Sequence, residues 1–260
     1  MKFFPGFSIA LSETHFGFDV GEGCFDRGVE YRKLDSIRKS LMDPACTGPE
    51  DVYAIMMDVG RTEDLEDLKK RMLLFGVVAY AQGKLGREPI RSQGHMHKVS
   101  AHCGWSTPEV YEIWQGKAVI YMQETAEDMP GRCYAVHAGP GDVVVVPPYW
   151  VHATVSADST QPLAFGAWCD RDFGFVYDGV RRHNGIAFFP VFDAENTLRW
   201  EKNPAYGACE LIEKTPESYA DSLGIEPGKP IYTQYVEDRE RFMFVPEPAR
   251  RQDVWKQYIP

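Results

Sequence analysis

Three histidines and one glutamate are the residues of this 260-residue chain best suited to chemistry. His95 and His97 are separated by one residue, and because alternate side chains of a strand point to the same side, both imidazoles are expected to face one way. Glu109 begins the apolar run EVYEIW, and His152 follows the run DVVVVPPYWV. Three neutral imidazoles and a carboxylate suit a divalent transition-metal ion. We therefore predict one ion per chain, Fe²⁺, Mn²⁺, Zn²⁺, Ni²⁺ or Co²⁺, held by His95, His97, Glu109 and His152.

The spacing of these ligands relative to nearby turn residues predicts the fold that holds them. Gly116 follows Glu109 after six residues, and Gly141, Pro147 and His152 form a second block. Glycine permits tight turns between antiparallel strands, and proline ends a strand. This joint spacing is typical of cupins. We therefore predict an all-β fold, a jelly-roll-like cupin barrel with a few peripheral helices and with N- and C-terminal extensions.

The remaining sequence predicts the elements around the motif. Over about 74–192, short apolar runs such as KAVIYMQ, CYAVHA and LAFGAW are separated by Gly, Pro, Asp and Asn, which is typical of strands. A helix is expected over 62–73, where Thr62 can cap the first turn. Thr215 and Pro216 are expected to begin another short helix. The predicted division is an N-terminal arm packing on the barrel over 1–50, the barrel over 51–200 and a C-terminal extension over 201–260.

The segment between His97 and Glu109, KVSAHCGWSTP, is longer than cupins usually have at this point. It contains His102 and Cys103, which are rival metal ligands in principle, but we interpret the segment as a solvent-exposed loop. The remaining histidines have no partners in sequence and are interpreted as packing or surface residues: His15, His137 and His183.

The charge balance excludes several classes of partner. The chain has 28 Lys and Arg against 38 Asp and Glu, which gives a formal net charge of -10. Such a chain repels nucleic acid and anionic membranes, and no basic patch offsets this charge. No run approaches the roughly 20 apolar residues of a membrane helix, and the six cysteines form no C-x-x-C pair. We therefore expect a cytoplasmic protein with free thiols and with no nucleic-acid or membrane partner.

Three longer stretches carry a resemblance to a known family: QGKLGREPIRSQGHMH, PEVYEIWQGKAVIYMQ and GPGDVVVVPPYWVHATVS. Together with the weaker PLAFGAWCDRDFGFVYDGV, they cover roughly residues 75–192 and resemble the cupin-type glucose-6-phosphate isomerases. The resemblance implies a metal-dependent aldose–ketose isomerase of glycolysis and gluconeogenesis, which interconverts glucose 6-phosphate and fructose 6-phosphate. It also implies Fe²⁺ or Mn²⁺ as the metal ion, a phosphosugar as the substrate and a homodimer as the assembly.

The resemblance further implies roles for individual residues. It places metal ligands on the three histidines and the glutamate, and phosphate-binding positions just ahead of the H-x-H motif. Phe175 stands where relatives carry a histidine. Lysines and arginines near the motif would add charge for a phosphate. The expected catalytic residues are Glu109 and Tyr111, and the expected substrate-binding residues are Ser92, Gly94, Tyr111, Lys84, Arg87 and Tyr177, with Arg91 and Lys98 as further candidates.

Two routes of isomerisation and three other functions remain open at this point. Glu109 is the best candidate for a base that takes the C2 proton, whereas a hydride shift under metal polarisation needs no base. The alternatives to the expected enzyme are a cupin isomerase of another sugar or sugar phosphate such as mannose 6-phosphate, a non-catalytic metal-dependent sugar-binding cupin, and an O₂-using cupin dioxygenase.

Overall fold

Ten strands form two facing sheets in the computed structural model, which describes residues 3–260. Neighbouring strands of the larger, six-stranded sheet are antiparallel throughout. In spatial order this sheet contains Val143–Val146, Glu109–Gln115, Leu163–Asp170, Leu73–Tyr80, Asp51–Met57 and Glu30–Lys33, and the smaller sheet contains Val151–Ser156, Ala118–Gln123, Cys133–Ala138 and Leu211–Lys214, the last parallel to its neighbour.

Short strand pairs and helices surround the two sheets. The pairs are Ile9–Leu11 with Phe18–Val20, Cys24–Phe25 with Gly60–Arg61, Lys84–Leu85 with Glu88–Pro89, Met96–His97 with Phe175–Val176, and Phe188–Phe192 with Leu198–Lys202. The α-helices are Leu34–Ile37, Leu65–Lys70, Asp178–Arg182, Ala220–Leu223, Ile231–Glu237 and Gln252–Lys256, and the 3₁₀ helices are Arg38–Ser40, Thr62–Asp64 and Pro248–Arg251. Over residues 3–260, no helix has the length and apolarity needed to cross a membrane.

The strand Glu109–Gln115 shows how the sequence fills both sides of the larger sheet. Tyr111 and Ile113 point between the sheets and pack with apolar side chains of the smaller sheet. Val110 and Trp114 point the other way, into a second cluster outside the sheet. The alternation expected of a strand is therefore present, and the predicted all-β cupin barrel is confirmed.

A C-terminal layer, formed by residues 219–258, covers the outer side of the larger sheet. Trp168 of that sheet stacks on Tyr232 and Phe242, with ring centroids 5.4 and 5.6 Å apart. At the edge strand, the hydroxyl of Tyr258 donates a hydrogen bond to the carbonyl of Val145. The middle strands of the larger sheet are therefore covered on both sides, and Glu109–Gln115 and Leu163–Asp170 are buried at nearly every position.

The helix predicted over 62–73 is shorter in the structure. A 3₁₀ turn over Thr62–Asp64 leads into the α-helix Leu65–Lys70, and the chain then enters the strand that starts at Leu73. Met72 has φ 56°, a left-handed conformation that ends the helix and turns the chain into the sheet. Leu73, the last residue of the predicted helix, belongs to the strand instead.

The helix predicted to begin at Thr215 and Pro216 is wrong. Residues 215–219 form no helix, and the next helix is Ala220–Leu223. This connection carries the chain from the smaller sheet to the outer side of the larger sheet. It ends at Tyr219, whose hydroxyl accepts a hydrogen bond from the backbone N–H of Val145 at 3.2 Å.

One carboxylate ties the C-terminal layer to the barrel. Glu112 lies on the outer side of its strand and accepts hydrogen bonds of 2.8 Å from the backbone N–H of Ile231 and from the indole N–H of Trp114. Burial raises the pKa of Glu112 to about 7, and these two hydrogen bonds offset only part of that effect. The neutral acid is therefore favoured in the folded protein at pH values where the unfolded chain carries the charge.

We expect Glu112→Gln to remove a specific pH dependence of stability. The carboxyl titrates near 4.5 in its ordinary state and near 7 when folded, so the folded protein binds the extra proton between these pKa values. The free energy of unfolding should therefore fall by about 3 kcal/mol as the pH rises across this range. Denaturant unfolding at several pH values should show the wild type losing stability relative to the variant, and parallel curves for the two proteins would contradict the assignment.

Candidate metal centre

The four predicted ligands converge where the two sheets face each other. His95 and His152 are paired through their backbones, with N–H to carbonyl distances of 3.0 and 2.9 Å. His97 follows in the short strand Met96–His97, Glu109 begins a strand of the larger sheet, and His152 belongs to the smaller sheet. One donor atom from each of the four side chains lies within 4.8 Å of the others. The structure thus brings all four residues together.

The donor atoms fit a divalent cation. Glu109 Oε2 lies 3.2 Å from His97 Nε2 and 3.3 Å from His152 Nε2. His95 Nε2 is buried and has no hydrogen-bond partner in the described chain. A buried polar atom without a partner is destabilising, and coordination of an ion would remove this cost. Imidazole nitrogens and a carboxylate are the donors that such ions prefer.

The long loop over 98–108 orients one of the ligands. The carbonyl oxygen of Thr107, near the end of the loop, lies 2.8 Å from His97 Nδ1. A proton on Nδ1 makes this hydrogen bond and leaves Nε2 free for a metal, which is the usual arrangement behind a metal-binding histidine. The loop is anchored again where the hydroxyl of Ser106 accepts a hydrogen bond from the backbone N–H of Tyr149 at 3.1 Å.

The other candidate ligands lie outside this cluster. His102 is exposed and Cys103 is half-buried, and both face the C-terminal residues 247–250. The remaining histidines pair elsewhere: His15 with Ser12, His137 with Glu213, and His183 with Gly179 and Asp128.

The electrostatics of His95 and Glu109 favour the protonation states that bind metal. Burial, helped by the charges of His152 and His97, lowers the pKa of His95 well below its ordinary value. Burial opposes ionisation of Glu109, but hydrogen bonds with His152 and His97 outweigh it and hold the pKa of Glu109 well below its ordinary range. A neutral imidazole and an ionised carboxylate are both competent ligands.

A cavity opens beside the cluster, between the sheets. Aromatic side chains supply much of its wall, and these include Tyr53, Tyr80, Phe165, Phe173, Phe175 and Tyr177. The polar side chains on the wall include Arg32, Ser92, Gln93, Thr107, Thr154 and Asp170. An apolar cavity with a few converging polar groups is typical of a small-molecule site.

Three of the residues predicted to contact substrate line this cavity: Ser92, Tyr111 and Tyr177. Gly94 lies behind the wall, where φ is 88° and an added Cβ would come within 2.6 Å of Ile186 Cγ2. The positive φ and the close Ile186 side chain both favour glycine at this position.

Lys84 and Arg87 are not placed to contact a ligand in the cavity, which corrects the expectation from sequence. The ammonium group of Lys84 lies over the Phe192 ring, 4.9 Å from its centroid. Arg87 pairs with Glu201 at 2.5 Å on the surface. The short hairpin that carries both cations turns them away from the barrel interior, although they are close to the histidines in sequence.

The other two candidate cations are also engaged elsewhere. Arg91 is fully buried in a pair with Glu88, and Lys98 lies 3.1 Å from Asp172.

Arg32 is the cavity residue that sequence reasoning missed. It lies on the edge strand Glu30–Lys33, inside the segment expected to be an arm. Its Nε is buried without a hydrogen-bond partner in the described chain, and its terminal nitrogen lies 3.0 Å from Glu30. Among residues 3–260, Arg32 is the only lysine or arginine on the cavity wall. Local spacing gave no signal for it, because the strand reaches the cavity only through sheet pairing.

A family model described as glucose-6-phosphate isomerase matches residues 38–207, which include all four metal-donor residues. Proteins named glucose-6-phosphate isomerase are similar to the chain. That of Thermococcus kodakarensis is 32% identical over 116 residues, 45% of this chain and 56% of that protein. That of Thermococcus gammatolerans is 32% identical over 131 residues, 50% and 59% of the two chains.

The matches are partial. The relative from Sinorhizobium medicae is 27% identical over 154 residues, 56% of this chain and 67% of that protein. The matched part of the chain spans 56% and 59% of the two Thermococcus proteins, little more than half of their length. Solved structures with some likeness include a hazelnut (Corylus avellana) vicilin, 9% identical with a TM-score of 0.36 over 50% of this chain and 33% of that one.

We expect Mn²⁺ to stabilise the metal-free protein through these four donors. An ion that binds only the folded state adds about 2.7 kcal/mol at 100 times its dissociation constant, which calorimetry would record as a rise in Tm. His152→Ala should abolish most of the rise because it removes a donor. His183→Ala, which changes a histidine bonded to Gly179 and Asp128 instead, should keep it. Equal rises in both variants would contradict the site.

Proposed function

The chain belongs to the glucose-6-phosphate isomerase family, and we propose that it is a metal-dependent aldose–ketose isomerase that interconverts glucose 6-phosphate and fructose 6-phosphate. The observation that carries this proposal is the set of four donors, which lies inside the matched range and of which His95, His97 and Glu109 line the cavity. We further infer one Fe²⁺ or Mn²⁺ ion per chain, a homodimer and a cytoplasmic location, in line with a reaction of glycolysis and gluconeogenesis.

The reaction moves one hydrogen between C1 and C2 of the open-chain sugar and one proton between their oxygens. A bound divalent ion supplies a Lewis acid that stabilises the negative charge developing on those oxygens. The residues of the chain must hold the sugar phosphate in place, exclude bulk water and move the hydrogen. Three of the four donors, His97, Glu109 and His152, are less than a tenth exposed. This burial supports the exclusion of bulk water.

We assign the proton transfer to Glu109, because its two oxygens have different surroundings. Oε2 lies against His97 and His152 and accepts a hydrogen bond of 2.7 Å from the hydroxyl of Tyr111. Oε1 meets only the weakly donating thiol of Cys169, at 3.3 Å, among the hydrogen bonds of the described chain. Oε2 is therefore occupied by the ligand cluster, and Oε1 is the oxygen available to take a proton from C2 and return it to C1.

Tyr111 keeps the carboxylate of Glu109 in position. Burial, together with the nearby charge of Glu109, raises the pKa of Tyr111 well above its ordinary value. The phenol therefore stays protonated and remains a hydrogen-bond donor to Oε2. A fixed carboxylate supports catalysis, because a base must lie within hydrogen-bonding reach of the proton it takes.

Arg32 is the residue we assign to the substrate phosphate. Its guanidinium group is the cavity's one Lys or Arg charge within residues 3–260, and its buried Nε lacks a partner. Tyr177 and Ser92 line the same cavity and carry hydroxyl groups that can donate to phosphate oxygens. A phosphate paired with a guanidinium group is held by charge-assisted hydrogen bonds, the stronger kind in proteins.

Replacement of Glu109 by Gln should lower turnover of glucose 6-phosphate by ~10²–10⁴, the usual value of a positioned base. With substrate deuterated at C2, the wild type should lose deuterium to solvent water. The deuteron taken from C2 stays on the Glu109 carboxylate until a proton is returned to C1, and it can exchange with water during that time. Glu112→Gln, on the outer side of the same strand, should turn over at a near-normal rate. Near-normal turnover in the metal-loaded Glu109 variant, or complete transfer of deuterium to C1, would contradict the assignment.

Replacement of Arg32 by Gln should raise the KM for glucose 6-phosphate about 10- to 100-fold, because a hydrogen bond to a charged group contributes about 1.5–3 kcal/mol. The matched control is Arg87→Gln, which removes the same charge from a surface pair with Glu201 and should leave KM unchanged. Steady-state kinetics on both variants measures the difference. Equal KM values for the two variants would show that the phosphate binds elsewhere.

A further inference from the structure

Asp170 is a buried acid on the cavity wall to which neither the metal cluster nor the proposed proton transfer gives a role. It ends the strand Leu163–Asp170, directly after Cys169, whose thiol contacts Glu109. Its side chain is about 1% exposed and borders the cavity. Within residues 3–260, it is the one residue whose two carboxylate oxygens are both buried without a hydrogen-bond partner.

Other buried carboxylates in the described chain have partners. Asp58 pairs with Arg171 through two contacts of 2.7 and 2.8 Å, and Glu88 pairs with Arg91 at 2.6 Å. Burial raises the pKa of Asp170 above its ordinary value, and the nearby Ser100 hydroxyl and the backbone N–H of Asp172 offset only part of that effect. They make no aligned hydrogen bond with it, and the Ser100 hydroxyl lies 3.3 Å from the carboxylate of Asp172.

An unpaired buried carboxylate destabilises a folded protein, because the charge gives up its hydration without compensation. Such a group calls for a reason other than folding. The carboxylate of Asp170 borders the cavity, so its hydrogen-bonding capacity is available to whatever fills that cavity. A carboxylate repels a phosphate and accepts hydrogen bonds from hydroxyl groups.

The charges around the cavity give a bound sugar phosphate a direction. Arg32 and Asp170 both line the cavity from the larger sheet, but Arg32 lies on its edge strand and Asp170 on a strand three positions further into the sheet. A phosphate held at Arg32 leaves the hydroxylated carbons to extend towards Asp170.

We propose that Asp170 is a substrate-binding residue that accepts hydrogen bonds from hydroxyl groups of the sugar phosphate. This inference rests on the proposed function and adds a selective element to it. The metal cluster recognises adjacent oxygens and Arg32 recognises the phosphate, but neither requires hydroxyl groups elsewhere on the carbon chain. Asp170 would make the site selective for a polyhydroxylated phosphate over a simple alkyl phosphate.

The test compares two non-isomerisable ligands on the metal-loaded full chain by calorimetry. Glucitol 6-phosphate carries hydroxyl groups along its chain, and butyl phosphate carries none. Asp170→Asn should weaken binding of glucitol 6-phosphate about tenfold or more, because a neutral acceptor makes the weaker hydrogen bond. The same variant should bind butyl phosphate as well as the wild type does or slightly more tightly, because a negative charge has been removed.

Asp172→Asn is the matched control, with the same change of charge two residues away. The carboxylate of Asp172 lies off the cavity wall, 3.1 Å from the Lys98 ammonium, and accepts a hydrogen bond of 2.6 Å from the N–H of Ala101. This variant should bind both ligands as the wild type does, but its Tm should fall. Asp170→Asn should keep or raise the Tm, since it removes an unpaired charge.

Three results are distinguishable. Unchanged binding of glucitol 6-phosphate by Asp170→Asn, or equal weakening for both ligands, overturns the role of Asp170 even if the wild type is an active isomerase. If Asp170→Asn selectively weakens binding of glucitol 6-phosphate but the wild-type protein shows no isomerase activity, the role of Asp170 is supported and the proposed function is overturned. Failure of the wild-type protein to bind glucitol 6-phosphate overturns both.

Discussion

A carboxylate buried among three imidazoles, between two sheets, is the interaction on which the rest of this structure depends. A buried charge costs several kcal/mol unless it is paired and hydrogen-bonded. Glu109 meets this requirement with His97, His152 and the hydroxyl of Tyr111. Its strand belongs to the larger sheet and His152 to the smaller sheet, so the site exists only when the two sheets pack in the correct register.

Two additions to the barrel hold this arrangement from opposite sides. The C-terminal layer covers the outer side of the strand that begins at Glu109, and it is bonded to that strand through Glu112. On the inner side, the loop over 98–108 places the Thr107 carbonyl against the ring of His97. One side of the strand Glu109–Gln115 therefore packs against the C-terminal layer, and its other side faces the candidate metal centre. Such support is what a site needs for its side chains to keep a fixed geometry.

The sequence was sufficient for features that depend on local spacing. The four donors could be predicted because the H-x-H pair, the glutamate and the turn residues occur at a recognisable spacing. The strands could be predicted because their apolar runs are short. Features that depend on pairing between segments distant in sequence could not be predicted. Arg32 reaches the cavity only because its strand pairs with Asp51–Met57, whereas Lys84 and Arg87 are near the histidines in sequence and point away. The burial of Asp170 depends likewise on packing that no local pattern reveals.

Isomerisation by this chain is proposed to require a metal ion held by the four-donor cluster. The most direct measurement determines the metal content of the purified chain and its turnover of glucose 6-phosphate before and after chelation. We expect one divalent ion per chain, loss of fructose 6-phosphate formation when the ion is removed, and recovery when Fe²⁺ or Mn²⁺ is restored. Undiminished turnover by protein that contains no metal would contradict it.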